Sequence, residues 1–204
     1  MSFYKEKAIV LYAPLGDADI AVPLHPKSRF GEILRCKSPK TQTEKYQVWK
    51  LLEFAVKNYT SLDFANLQFT KTDNNKWVCS ELCFSLSHSD GIVCVAISDE
   101  PIGVDAECVR TVRRELDTRI LTDSERLALK EVSDAEYSEE LLLSWVKKES
   151  IFKRGGGAAL LPNRTEAKEH PTATKRVTCQ GREYLIAVCH TRADEIDFNY
   201  VEEI

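Results

Sequence analysis

The alternation of apolar and polar positions predicts a chain of short strands interrupted by two long amphipathic helices. Ala8–Tyr12 reads as a first strand. Val22–Leu24 ends at His25-Pro26, and residues 27–37 suit a short helix with Phe30, Ile33 and Leu34 on one side. Ser38 followed by Pro39 is a helix start, with the serine as N-cap and the proline at the first position. That helix runs to about Tyr59, with Val48, Trp49, Leu52, Ala55, Val56 and Tyr59 as its buried stripe. Residues 60–66 form a loop, Leu67–Thr70 a strand, and Lys76-Trp77 leads into a strand over Val78–Phe84. Residues 84–107 then read as three strands: Phe84–Ser87, Ile92–Ile97 and Ile102–Glu107. Thr122-Asp-Ser-Glu125 is a capping box opening a helix to about Val132. A loop over 133–137 precedes the second long helix, Ser138–Arg154, which stops at Gly155-Gly156-Gly157. Residues 158–173 are irregular, and strands follow at Lys175–Cys179, Tyr184–His190 and Ile196–Val201.

The order of elements repeats weakly. A tryptophan-bearing helix (Trp49) leads to paired strands ending in VCVAISDEPI, and a second (Trp145) leads to strands ending in LIAVCHTRADEI. The expected fold class is therefore α+β. It would comprise two similar halves, 1–103 and 104–204, related by pseudo-twofold symmetry and meeting near residues 103–105. A site at that seam would draw on both halves.

Composition narrows the options. Among 204 residues, 43% are hydrophobic, enough for a proper core, and the net charge of −4 gives no general bias towards nucleic acid. No stretch approaches the roughly 18–20 apolar residues of a membrane span. The N-terminal apolar run is followed by Asp17 and Asp19 and reads as a strand, not a signal peptide. Seven cysteines cannot all pair internally; Cys94 and Cys189 sit in apolar strand patterns, and Cys79 and Cys83 form a lone C-x-x-x-C. A reduced, cytoplasmic chain is expected.

Charge inside the apolar pattern marks the candidate chemistry. Asp105 and Glu107 point to one face of their strand, and two neighbouring carboxylates repel unless a cation sits between them; a hard divalent ion is the usual remedy. On the second long helix, Leu142, Trp145, Val146, Glu149 and Lys153 share a stripe, so Glu149 and Lys153 fall on the inward face. Either Glu149 is a third metal carboxylate with a cation one turn away, or the two form a buried i,i+4 pair. Lys27, Arg29, Arg35 and Lys37 surround the short helix as a solvated basic face or a phosphate-binding patch. Arg110, Arg113, Arg114 and Arg119 form the most basic local stretch, a solvated face or a docking surface for an acidic partner.

Taken together, Phe84-Ser-Leu-Ser87-His88-Ser89, Ile102-Gly-Val-Asp105-Ala-Glu107 and Trp145-Val-Lys-Lys-Glu149-Ser-Ile-Phe-Lys153 resemble the motifs of the 4′-phosphopantetheinyl transferase superfamily. The length suits its surfactin-synthetase-activating, pseudodimeric type, and the resemblance covers roughly residues 25–190. It implies transfer of the phosphopantetheine arm of coenzyme A to a serine of an acyl or peptidyl carrier protein, releasing 3′,5′-adenosine bisphosphate. The N-terminal half would then be the coenzyme A side, and the C-terminal half the metal and catalytic side. Asp105, Glu107 and Glu149 would hold Mg²⁺, or Mn²⁺; Glu149 would be the base for the carrier serine, and Lys153 would stabilise the pyrophosphate or protonate the leaving side. Ser87 and His88 would take the 3′-phosphate of coenzyme A, with Arg35 or Lys45 as the basic partner. Lys76 would lie near the adenine and phosphates, although Asn75-Lys76-Trp77 replaces the family's Gly-Lys-Pro. Arg113, Arg114 and Arg154 would meet the carrier, and the protein would be a monomer without nucleic-acid or membrane partners. The other readings are a non-catalytic coenzyme A or carrier-protein binding module on the same fold, and another magnesium-dependent enzyme acting on a nucleotide diphosphate.

Overall fold

The computed structural model of the chain describes residues 8–130, 132–156 and 159–204. In order, the elements are β1 (Ile9–Pro14), α1 (Lys27–Leu34), α2 (Pro39–Tyr59), β2 (Phe69–Lys71), β3 (Trp77–Cys79), β4 (Cys83–Ser89), β5 (Ile92–Ser98) and β6 (Gly103–Cys108). Then come α3 (Asp117–Ile120), α4 (Asp123–Ala128), α5 (Asp134–Gly155), β7 (Thr172–Cys179), β8 (Arg182–Cys189) and β9 (Asp197–Tyr200). The first sheet has the order β4-β5-β1-β9, the second β6-β8-β7, and β2 pairs with β3 as a separate hairpin.

The alternation of side chains along the strands explains how these pieces stack. Ile9, Leu11 and Ala13 of β1 and Val93, Val95 and Ile97 of β5 join the core under α2, with Trp49, Leu52 and Val56. Their neighbours, Val10, Tyr12, Ile92, Cys94 and Ala96, point the other way and pack against Val104, Ala106, Tyr184, Ile186 and Val188 of the second sheet. On the far side of the second sheet, Leu185 and Ala187 pack against Leu142 and Val146 of α5. The result is a mixed α+β stack of four layers: α2, first sheet, second sheet, α5. Strands of the middle layers are buried on both faces, which is why β5 reads as an almost unbroken apolar run.

Both long helices open on a serine cap. Ser38 accepts the N–H of Thr41, and Ser133 forms a capping box with Glu136. That second box starts α5 at Asp134, so the loop expected over 133–137 is helix from its second residue. The helix opened by Thr122 is shorter than expected and ends at Ala128; of its expected continuation, residue 131 lies outside the described residues. Gly156, in the left-handed region at φ 64°, closes α5 as expected of the glycine run, whose Gly157 lies outside the described residues. The strand expected over Val78–Phe84 is broken between Cys79 and Cys83 into β3 and β4. Leu34, expected on the apolar side of α1, is 51% exposed. The last strand, β9, leaves the second sheet and pairs in parallel with β1 in the first.

Gly103 sets the distance between α5 and the second sheet. A Cβ there would lie 1.9 Å from the carbonyl oxygen of Ser150 and 2.4 Å from the amide nitrogen of Arg154. Only glycine lets the helix backbone come so close to β6.

Candidate active site

Strand β6 turns Val104, Ala106 and Cys108 into the core and Asp105 and Glu107 towards α5. Helix α5 brings Glu149 and Lys153 to the same place. Ser87, His88, Asp105, Glu107, Glu149 and Lys153 line one cavity of about 390 Å³, walled by Trp145. Residues far apart in sequence thus converge where the first sheet, the second sheet and α5 meet.

The charges in the cavity are partly paired. Lys153 Nζ donates to Asp105 Oδ1 at 2.7 Å, and Ser87 Oγ donates to the same oxygen at 2.8 Å. Glu107 Oε2 accepts from Arg110 at 2.8 Å and from Ser89 Oγ at 3.2 Å. The expected i,i+4 pair with Glu149 is not formed: Lys153 pairs instead with Asp105 on the facing strand, a partner neither sequence alternative named. Glu149 is half-buried, with no hydrogen bond or ion pair among the described residues. Burial first, then the charges of Asp105 and Glu107, push its carboxyl above the usual range against the pull of Lys153. His88 is held below the ordinary imidazole value by desolvation, opposed by Glu44 and reinforced by Lys153 and Lys45. Its Nδ1 lies 3.6 Å from Glu44 Oε2, an electrostatic contact longer than a hydrogen bond.

The donor set is all oxygen, as a hard divalent ion requires. The bonds to Asp105 and Glu107 fall on one oxygen of each carboxylate, so the other oxygen of each carries no hydrogen bond among the described residues. Even so, no group of three or more His, Cys, Asp or Glu among those residues is gathered closely enough to hold an ion. Lys153 and Arg110 instead supply the positive charge beside Asp105 and Glu107. The cavity nevertheless brings together oxygen donors of the kind such an ion takes, two carboxylates from β6 and one from α5.

A second cavity, about 290 Å³, adjoins the first through Leu86 and Lys153 and is lined by Asn74, Lys76, Trp77, Phe84 and Phe152. Lys76 Nζ donates to the carbonyl of Lys153, and Asn74 Nδ2 to that of Gly156 at 3.2 Å. The tip of the β2–β3 hairpin thereby caps the C-terminus of α5. Burial and the Lys153 ammonium lower the pKa of Lys76. Lys45 stands near His88, donating to Cys36 Sγ at 3.4 Å. Arg35 is exposed at the C-cap of α1, its side chain making no hydrogen bond or ion pair among the described residues.

Arg29 departs from both of its alternatives, solvated face and phosphate patch, whereas Arg114 stays exposed but partnered. Arg29 is buried, stacks 4.9 Å from the centre of the Trp49 ring and pairs with Glu32, because α1 lies flat on the core. Arg114 pairs with Asp134 at 2.8 Å and covers the Tyr137 ring at 4.0 Å, anchoring the start of α5. Arg113 is exposed, and Arg154 Nε donates to the carbonyl of Pro101.

Sequence reasoning missed Lys148. It is 0% exposed, and its ammonium is held by the carbonyl of Ile120 at 2.7 Å and by Glu125 Oε2. Glu125 also accepts the N–H of Thr122 in the α4 capping box. The signal was present in the box itself, whose glutamate Oε2 accepts from Thr122 and from Lys148 alike, but nothing local pairs it with a lysine on another helix.

Comparison with known proteins finds relatives over the half of the chain that carries β6 and α5. A family model described as the 4′-phosphopantetheinyl transferase superfamily matches residues 101–201. A protein of Aneurinibacillus migulanus named 4′-phosphopantetheinyl transferase gsp is 28% identical over 98 residues, 48% of this chain. That match spans 41% of the relative's own length. With β6, α5 and the carboxylates they carry all inside the matched span, the chain bears over residues 101–201 a domain of the 4′-phosphopantetheinyl transferase superfamily.

Proposed function

We propose that the protein transfers the 4′-phosphopantetheine arm of coenzyme A to a serine of an acyl or peptidyl carrier protein and releases 3′,5′-adenosine bisphosphate. The observation that carries this reading is the convergence of Asp105, Glu107, Glu149, Lys153 and His88 on one cavity within and beside the superfamily domain. In this reading Asp105, Glu107 and Glu149 hold Mg²⁺ or Mn²⁺, which when bound neutralises the diphosphate and the charge that builds on it during attack. Glu149, raised in pKa and free of hydrogen-bond partners, takes the proton of the carrier serine hydroxyl as it attacks the β-phosphorus. Lys153 offers its ammonium to the phosphate oxygens from the Asp105 side. His88 as hydrogen-bonding imidazole and Lys45 as cation form the corner for the 3′-phosphate, with Arg35 reaching in from the exposed end of α1. The smaller cavity beside Lys76, with its aromatic walls, takes the adenine.

The reading includes two halves, 1–103 and 104–204, related by a pseudo-twofold axis. It is supported by the serine-capped long helix and the antiparallel strands that each half contributes, and β9 extends the first sheet from the second half. It also includes a cytoplasmic monomer.

Intact-mass spectrometry of apo carrier proteins mixed with this protein, coenzyme A and Mg²⁺ tests the reading. A phosphopantetheine-sized mass gain that EDTA removes is the expected result, and Glu149→Gln should slow it by at least about 10²-fold while coenzyme A still binds. Coenzyme A or carrier binding with no mass gain on any carrier would sink the reading in favour of a binding module. Nucleotide hydrolysis without a carrier would turn it towards a hydrolase.

A further inference from the structure

Strand β4 carries serines at alternate positions, and each faces the backbone of β6. Ser85 Oγ accepts the N–H of Val104 at 3.0 Å, Ser87 Oγ that of Ala106 at 3.2 Å, and Ser89 Oγ that of Cys108 at 3.3 Å. The edge of the second sheet is thus closed by hydroxyls of the first sheet in place of a strand, which satisfies buried N–H groups that would otherwise be orphaned. A serine hydroxyl also has one proton to give. Ser87 gives it to Asp105 at 2.8 Å and Ser89 to Glu107 at 3.2 Å, in each case the residue just before the N–H it accepts. At the Ser85 rung the preceding residue is Gly103, which has no carboxylate.

We propose that Ser87 and Ser89 are positioning residues for Asp105 and Glu107. Each hydroxyl ties one carboxylate oxygen to the facing sheet, so that the other oxygen is presented to a divalent cation in the cavity. Ser87 is only 4% exposed, and its hydroxyl is engaged both as acceptor and as donor. That leaves its proton with Asp105 and gives the coenzyme A 3′-phosphate to His88 and Lys45. The inference rests on the proposed function only in taking the cavity as a metal site. Outer partners that orient metal-binding side chains commonly govern affinity about 10–100-fold.

The test is the affinity of the metal-free protein for Mn²⁺, titrated by electron paramagnetic resonance, with coenzyme A binding in EDTA measured alongside. Ser87→Ala is expected to weaken Mn²⁺ binding about tenfold, and Ser89→Ala by less, since Glu107 keeps its bond to Arg110. Ser85→Ala removes the same kind of backbone bond and should lower thermal stability without moving Mn²⁺ affinity. Ser87→Thr, which keeps the hydroxyl, should restore binding to within about twofold of wild type. Unchanged Mn²⁺ affinity in both alanine variants would overturn the proposal. So would a loss of coenzyme A binding in EDTA on Ser87→Ala, since the hydroxyl would then serve the phosphate. Wild-type protein that binds Mn²⁺ but modifies no carrier would count against the transferase reading and leave these serine roles standing on the titration.

Discussion

Helices α2 and α5 are nearly the same length, both begin at a serine cap, and both carry one tryptophan, yet they do opposite work. The buried face of α2 is apolar from Tyr46 to Val56 save for Gln47, which bonds the Gly16 backbone, and rests on the largest core cluster. The apolar stripe of α5 gives out after Val146 and continues as Lys148, Glu149 and Lys153. One helix spends its face on packing. The other uses three turns for packing and hands the rest to charge, each charge needing a partner on another element. Trp49 is fully buried, with its Nε1 donating to the carbonyl of His25 at 2.6 Å, whereas Trp145 is half-buried and walls the cavity.

The largest effect should come from breaking the apolar side of that contrast. Trp49→Ala is expected to cost about 3–5 kcal/mol, read as the shift in urea midpoint, and Trp145→Ala clearly less. Transfer activity should show the reverse ordering per unit of stability lost. Equal stability losses would mean the two helices are packed alike. Next is the buried charge of α5. Lys148→Met strands Glu125 and the Ile120 carbonyl, and should cost about 3 kcal/mol. Adding Glu125→Gln, which keeps a side chain able to serve the α4 cap, should recover most of it. A single variant as stable as wild type would show that the pair holds nothing together.

The smallest effect is a dependence on pH at the end of β8. His190 is fully buried, its Nδ1 accepts the N–H of Arg192, and its Nε2 lies 2.9 Å from Ser98 Oγ. Desolvation and the Arg192 charge lower its pKa. A histidine depressed in the folded state binds fewer protons there than in the unfolded chain, so its contribution is present above the unfolded value and is lost as pH falls through the folded one. Unfolding free energy should therefore decline below about pH 6.5, and His190→Gln should flatten that slope. An unchanged slope would place the dependence elsewhere.

Local rules reached the elements and the two acidic motifs. Ser38-Pro39 marked the start of α2, Gly156 the end of α5, and the two-residue period of β6 placed Asp105 and Glu107 on one face before any neighbour was known. These features depend on dihedral preferences and on periodicities that act within a few residues. The partners were not legible. Nothing near Lys153 in sequence points to Asp105, nothing near Lys148 to Glu125, and the serines of β4 acquire their roles only because β6 lies against them. Arg29 looks solvated in a window of neighbours and is seen to be packed only when Trp49 arrives beneath it. The sequence by itself determined which side chains of the site share a strand or a helix face. The stacking of two sheets between two helices decided which charges meet, because burial sets the cost of leaving each one alone.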